Sequence, residues 1–217
     1  MQSEIKGVLF DLDGTLIDTY GLILSSFRHA TREVLGRDIP DDVLMQKVGQ
    51  PLVTQMWDFA EDEETHDTLL RTYRAHNEAI HDSVVSAFPG VIDALRELHE
   101  AGYRMGVVTS KRHALAARAT AILGIDDCIE FLIGSDDFPE HKPAPGPVLH
   151  GCELLGFPPS ACMYVGDSPF DLQAGNAAGC QTVAALWGMF DRDVLAAQAP
   201  DHEIADISEL PQLLNNL

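Results

Sequence analysis

Four stretches of the chain set carboxylate, hydroxyl or ammonium groups just beyond short apolar runs, and these groups suit one kind of chemistry. Asp11 and Asp13 follow Val8-Leu9-Phe10, Thr109 and Ser110 follow Val107-Val108, and Asp167, Ser168 and Asp171 follow Tyr164-Val165-Gly166. Lys142 stands in a polar loop of a chain that has only four lysines. Two unit charges about 4 Å apart interact by roughly 4 kcal/mol at an effective dielectric near 20, so Asp11, Asp13 and Asp167 need a cation if they converge ionised. Oxygen-only ligands suit Mg²⁺, which keeps several waters and takes one or two carboxylates with phosphate oxygens. The hydroxyl of Thr109 and the amide of Ser110, read as opening a helix, are donors for an anion, and Lys142 adds a fixed positive charge. Taken singly, Thr109-Ser110 is an ordinary helix cap and Lys142 a solvated loop charge. Beside the acidic strand ends they describe a phosphate next to a divalent cation.

Such a site requires a scaffold that gathers chain-distant loops. Apolar runs closing on Gly, Asp, Ser or Thr recur at Gly7–Phe10, Arg104–Val108, Ile129–Ile133, Ala161–Val165, Gln181–Leu186 and, weakly, Glu203–Ala205. They predict buried parallel strands. Helical spacing occupies Val91–His99, His113–Leu123, Pro147–Leu155 and Asp171–Ala178 between them. The alternation predicts an α/β doubly wound, mostly parallel sheet with helices on both faces. From Asp18 to Ser83 no strand is expected, and helices are drawn instead at Tyr20–Leu35, Asp41–Val48, Leu52–Phe59 and Glu63–Ser83. Residues 18–83 are thus expected to form a helical cap inserted into an α/β core of residues 1–17 and 84–217, with Phe88-Pro89-Gly90 as the returning turn. In a 3-2-1-4-5 strand order the first and fourth strands meet at the topological switch point, where ligands bind beyond the strand C-termini.

Composition narrows the partners. The 217 residues include 14 Lys and Arg against 34 Asp and Glu, a net charge of −20, which argues against nucleic acid. With 46% hydrophobic residues and a mean hydropathy of −0.01, a globular chain with a sizeable core is expected. The four cysteines form no CxxC pair and read as reduced core residues. The opening MQSEIKGVLF has too short an apolar stretch for a signal peptide or membrane span, so a cytoplasmic address is expected. The nine histidines lack metal-ligand spacing and read as surface or capping residues.

The ordered segments Asp11-Leu12-Asp13-Gly14-Thr15, Val107-Val108-Thr109-Ser110, Lys142-Pro143 and Gly166-Asp167-Ser168-Pro169-Phe170-Asp171 resemble the four motifs of the haloacid dehalogenase (HAD) superfamily. The likeness spans nearly the whole chain, and the helical insertion is similar to that superfamily's first type of cap. The chain further resembles the phosphoglycolate phosphatase branch. Through Tyr73-Arg74-Ala75-His76-Asn77, His81-Asp82 and Phe88-Pro89-Gly90-Val91, it resembles a group of small bacterial pyrophosphatases within that branch. The resemblance implies Asp11 as nucleophile, Asp13 as acid and base, and Thr109 and Lys142 as holders of the phosphoryl oxygens. It also implies Mg²⁺ on the carboxylates of Asp11 and Asp167 and the carbonyl of Asp13, with Asp171 a direct or indirect partner of that set. The dehalogenases themselves lack a second acid at the Asp13 spacing, which argues against carbon–halogen cleavage. A sugar-phosphate mutase keeps both acids and stays open; a phospho-acceptor signalling module of the receiver type has its acceptor after a later strand.

Substrate contacts from the cap are expected among Lys47, Gly49 and Gln50 at a helix–loop junction and Arg74, His76 and Asn77 on the last long helix. Arg74 and His76, two apart, cannot share a helix face well. Because the net charge repels phosphates at long range, a small substrate is expected: pyrophosphate or a short phosphoester such as 2-phosphoglycolate. Trp57 and Trp187 fit either a core or an interface, and the oligomeric state stays open.

Overall fold

A computed structural model describes residues 4–217. The chain opens with β1 (Gly7–Phe10), all four residues buried, and the two-residue β2 (Ile17–Asp18). Four helices follow: α1 (Tyr20–Leu35), α2 (Asp41–Met45), α3 (Leu52–Met56) and α4 (Glu63–Val84). β3 (Ser86–Ala87) then returns antiparallel to β2, with Ile17 opposite Ala87 and Asp18 opposite Ser86. The remainder alternates α5 (Val91–Glu100), β4 (Arg104–Val108), α6 (His113–Leu123), β5 (Phe131–Ile133), α7 (Gly146–Leu155) and β6 (Cys162–Gly166). It ends with α8 (Pro169–Ala178), β7 (Gln181–Ala185), α9 (Arg192–Ala196), β8 (His202–Ile204) and α10 (Leu210–Asn215).

The large sheet has the order β5-β4-β1-β6-β7-β8 and is parallel throughout. Its first five strands by sequence stand in the expected 3-2-1-4-5 arrangement, and β8, only faintly signalled in the sequence, adds a sixth at the edge. Register does the positioning. Phe10 lies opposite Val107 on one side and Val165 on the other, so the residues after these three strands emerge at one end of the sheet. The backbone amide of Asp11 donates to the carbonyl of Val165 at 2.9 Å, and that of Thr109 to Ile133 at 2.9 Å, carrying the parallel ladder one residue past the strands.

Burial of both sheet faces explains why these strands read as unbroken apolar runs. Val8, Phe10, Val107 and Val165 belong to the cluster under α5 and α10, whereas Leu9, Val108 and Tyr164 face α7 and α8. The inserted helices have a separate core built around Phe27, Leu44, Met56, Leu69 and Tyr73, with Tyr73 edge-on to Phe27 at 4.9 Å between ring centres. Among the described residues no helix is long and apolar enough to cross a membrane.

Several expectations need correction. Asp18 belongs to a strand rather than opening a helical stretch, because the β2–β3 ladder spans the two chain crossings beside the inserted helices. α2 and α3 stop at Met45 and Met56, short of Val48 and Phe59, and β5 begins at Phe131, two residues later than the apolar run. Not every histidine is a surface or capping group. His81 is fully buried with Nδ1 2.9 Å from Asp82, and buried His66 has Nε2 2.9 Å from the Val53 carbonyl. Trp57 is exposed and stacks on His66, while half-buried Trp187 donates to the Thr15 carbonyl at 3.0 Å. All four cysteines are free; Cys152, Cys162 and Cys180 are buried, and Cys128 is half-buried.

Candidate active site

Asp11 emerges from the central strand with 3% of its surface exposed and receives the Lys142 ammonium on Oδ1 at 2.7 Å. Its Oδ2 takes no hydrogen bond among the described residues. Lys142, itself 3% exposed, also donates to Asp171 Oδ1. Asp171 is oriented by α8: its Oδ2 accepts from the backbone amide of Ser168 at 3.0 Å and from the Ser168 hydroxyl, while the hydroxyl caps the Asp171 amide in return. This reciprocal capping box fixes the acid that fixes the lysine. The Tyr164 hydroxyl, 2.9 Å from the Val108 carbonyl, lies 3.1 Å from Asp171 Oδ1 and closes the cluster from below.

Asp167 completes the set. Its Oδ1 accepts from Thr15 Oγ1 at 3.0 Å and its Oδ2 from the Met189 amide at 2.8 Å. Gly188 lets that backbone approach closely, since a Cβ there would lie 2.1 Å from the Asp167 Cβ. One carboxylate oxygen from each of Asp11, Asp167 and Asp171 lies within 4.8 Å of the others, all three residues buried. Against three acids stands one ammonium, leaving two negative charges in a poorly solvated place. Burial pushes the Asp11 carboxyl up to about 7, opposed by the Lys142 charge and reinforced by Asp171. Burial likewise drives Asp167 well above the carboxylate range, with Asp171 and Asp11 adding to it. For Lys142, burial alone would lower the pKa, but the charges of Asp11 and Asp171 outweigh it and hold the ammonium well above its usual value. Burial thus favours neutral carboxyls here, and keeping these acids ionised needs a divalent cation, for which their hard oxygen donors are suited.

The cluster opens on a cavity of about 610 Å³ between the sheet and the inserted helices, bordered by Asp11, Asp13, Thr109 and Ser110 and by Gly49, Gln50, Arg74 and Asn77. Asp13 accepts from Thr19 Oγ1 at 2.8 Å and from the Lys111 ammonium at 2.9 and 3.2 Å. The Ser110 hydroxyl donates to the Gly49 carbonyl at 2.5 Å, and a Cβ on Gly49, whose φ is +104°, would lie 2.7 Å from the Ser168 hydroxyl. At Gly49 the inserted segment therefore meets the core through backbone.

Three expected features are placed differently. Thr109 and Ser110 do not open a helix: α6 begins at His113, so any anion there meets a loop, whose Lys111 amide turns back to Thr109 Oγ1 at 3.2 Å. Lys47 is not on the cavity; its ammonium pairs with Asp58 at 2.6 Å. His76 lies off the cavity too, stacked on His29 with ring centres 4.5 Å apart and Nδ1 3.3 Å from Ser26 Oγ. Arg74 and Asn77, three apart on one face of α4, do reach it. Lys111 escaped the sequence reading although it directly follows Thr109-Ser110 and is one of only four lysines. Thr15, Thr19, Tyr164 and Gly188 carry no signal beyond their neighbourhood.

A doubly wound sheet that brings buried acids, a buried lysine and a hydroxyl-bearing loop to its switch point defines a Rossmann-like α/β protein with an acidic pocket beyond its strand ends. The chain matches the haloacid dehalogenase-like hydrolase family over residues 8–185, and it belongs to that family. A protein of Caldanaerobacter subterraneus subsp. tengcongensis is 37% identical over 211 residues, covering 97% of this chain and 95% of its own. The pyrophosphatase PpaX of Oceanobacillus iheyensis is 35% identical over 207 residues, 95% of each chain. Among solved structures, a predicted phosphoglycolate phosphatase from Haemophilus somnus 129pt superposes with a TM-score of 0.88 at 25% identity, over 98% of this chain and 99% of that one.

Proposed function

We propose that the chain is a Mg²⁺-dependent phosphatase that passes the phosphoryl group through Asp11, acting on pyrophosphate or a small phosphoester of the 2-phosphoglycolate type. The observation that carries this reading is Asp11 itself: buried, held at Oδ1 by Lys142, free at Oδ2, and bordering the same cavity as Asp13. Attack of Oδ2 on phosphorus forms an aspartyl phosphate, and Asp13 gives a proton to the departing oxygen. Asp13 then takes a proton from the water that cleaves the acyl phosphate. Lys142 and the Thr109 hydroxyl hold the transferring oxygens, while Asp171 and Ser168 keep Lys142 in place. When bound by Asp11, Asp167 and the Asp13 carbonyl, Mg²⁺ supplies charge neutralisation for the transferring group. The division into a core of residues 1–17 and 84–217 and a cap of residues 18–83 serves this chemistry, the cap covering the cavity. The names of the relatives favour pyrophosphate and 2-phosphoglycolate within the small-substrate class. Four free cysteines suit a cytoplasmic, reducing compartment.

The test is phosphate release from a panel holding pyrophosphate, 2-phosphoglycolate, sugar phosphates and nucleoside monophosphates. Activity should vanish in EDTA, return with Mg²⁺ and be suppressed by Ca²⁺, whose larger shell accepts more oxygens and draws the nucleophile into coordination. Full turnover in EDTA would sink the metal assignment, and a nucleotide giving the highest kcat/KM would sink the substrate class.

Gly188→Ala offers a separate check on Asp167. The added methyl must displace that carboxylate, so the Mg²⁺ concentration for half-maximal activity should rise about 10- to 100-fold, the cost typical of disturbing a group that orients a metal ligand. An unchanged Mg²⁺ requirement would remove Asp167 from the metal set.

A further inference from the structure

The cavity is a place where this acidic chain turns cationic. Of fourteen Lys and Arg, four border it (Arg74, Lys111, Arg112 and Arg118), against three of thirty-four acids (Asp11, Asp13 and Glu78). Phosphoryl chemistry at Asp11 does not account for all four. Lys111 is committed to Asp13, and Arg118 to Asp82, with Nε 3.0 Å from the carboxylate. Arg112 has its Nε 3.6 Å from Asp136.

Arg74 is different. Its Nε is buried and has no hydrogen-bond partner among the described residues. Glu78, one turn further along α4, and Asp136 act on it only through space, and burial followed by the like charge of Arg112 lowers its pKa. A buried guanidinium nitrogen without an acceptor, near a second guanidinium, is a costly arrangement unless something in the cavity supplies the acceptor. Arginine's planar fork matches the two oxygens of a carboxylate or phosphate. Arg74 projects from the inserted helices and Arg112 from the loop before α6, so a shared anion would bridge the two walls.

We infer that Arg74, together with Arg112, binds a second anionic group of the substrate, distinct from the phosphoryl group attacked by Asp11. This rests on the reading of Asp11 as the phosphoryl acceptor. The enzyme is thereby selective for substrates with an anion at each end, and a phosphoester with a neutral tail is a poor one. With four cations against three acids, the lining is no longer net negative, unlike the chain as a whole at −20, which spares the substrate further repulsion where it must enter.

The experiment compares 2-phosphoglycolate with 2-hydroxyethyl phosphate, which differ only by carboxylate against hydroxymethyl, and runs pyrophosphate alongside as the case where the second anion is a phosphate. The ratio of kcat/KM for 2-phosphoglycolate over 2-hydroxyethyl phosphate should exceed about tenfold in the native chain and fall by about 10- to 100-fold in Arg74→Gln. Arg74→Lys should retain part of the ratio. Arg71→Gln, on the same helix but off the cavity with its guanidinium on Thr68, should leave it unchanged. Calorimetric affinities of the same two compounds for Asp11→Asn and Asp11→Asn/Arg74→Gln give the ratio without turnover. Absence of phosphate release from every compound would therefore count against the proposed reaction and still decide this inference. A native chain without preference for the dianion, or an Arg74→Gln chain that keeps it, overturns the inference.

Discussion

Asp13→Asn should release about one equivalent of p-nitrophenolate per active site from p-nitrophenyl phosphate and then slow to a small steady rate. The side chain keeps its shape, its backbone carbonyl and an acceptor for Thr19, but can neither give nor take the proton. A good leaving group needs little protonation, so attack by Asp11 survives in part, whereas hydrolysis of the acyl phosphate lacks its base. Intact mass should then show a phosphorylated protein, provided the sample is quenched within the burst. Asp11→Asn should give neither burst nor label, with turnover lowered by about four orders of magnitude or more. Asp11 keeps its Oδ2 unbonded beside the cavity, whereas both oxygens of Asp13 are taken by Thr19 and Lys111. An Asp13→Asn enzyme turning over at the native rate, or a phosphorylated Asp11→Asn chain, would end the assignment of nucleophile and acid/base to this pair.

The second large effect is expected at Lys142, and it is twofold. Lys142→Met fills the volume but leaves Asp11 and Asp171 buried without their counter-charge, a loss of about 3–5 kcal/mol for a broken buried pair. For a chain of this length that corresponds to a melting temperature lower by roughly 6–20 °C. Activity should fall at least about 100-fold, because the ammonium also faces the charge that develops on the phosphoryl oxygens. The two roles separate in Lys142→Met/Asp171→Asn. Removing one of the stranded acids should restore much of the thermal stability and none of the activity, read by calorimetry and by phosphate release. A Lys142→Met enzyme with native melting temperature and native kcat/KM would show that the buried geometry has no such consequence.

Both predictions concern residues legible in the sequence, though not for the same reason. Asp11, Asp13, Asp167 and Asp171 are marked by local features: each lies within a few residues of a buried apolar run, and a parallel strand ends where that run ends. Helical spacing is equally local, which is why a helix could be drawn from Asp171, although α8 starts two residues earlier, at Pro169, with Ser168 as its cap. Lys142 belongs to a loop without secondary structure of its own, and only the rarity of lysine and the resemblance to a known family pointed to it. Its contact with Asp11 spans 131 positions of chain, a separation over which no spacing rule operates.

The inserted helices show the limit from the other side. Their apolar periodicity foretold three or four helices, because burial imposes a 3.6-residue repeat wherever a helix packs, and the structure gathers their apolar faces into one core. It could not foretell which polar face meets the sheet. Lys47 has the same ammonium as Lys111, and His76 stands two positions from Arg74 on one helix, yet Lys47 and His76 turn towards Asp58 and His29 while Lys111 and Arg74 border the cavity.

By itself, then, the sequence determined the strand and helix alternation, the acidic strand ends and the lysine-poor, strongly acidic balance, since each is written in neighbouring residues or in composition. The tertiary structure alone decided that Lys111 takes Asp13, that Asp171 is spent on Lys142 and Ser168, that the Thr109-Ser110 segment is a loop, and that the buried Nε of Arg74 has no acceptor among the described residues. These are choices among chemically similar side chains. They are settled by the rotation of a helix about its own axis and by contacts between segments far apart in the chain, and neither quantity has a local signature.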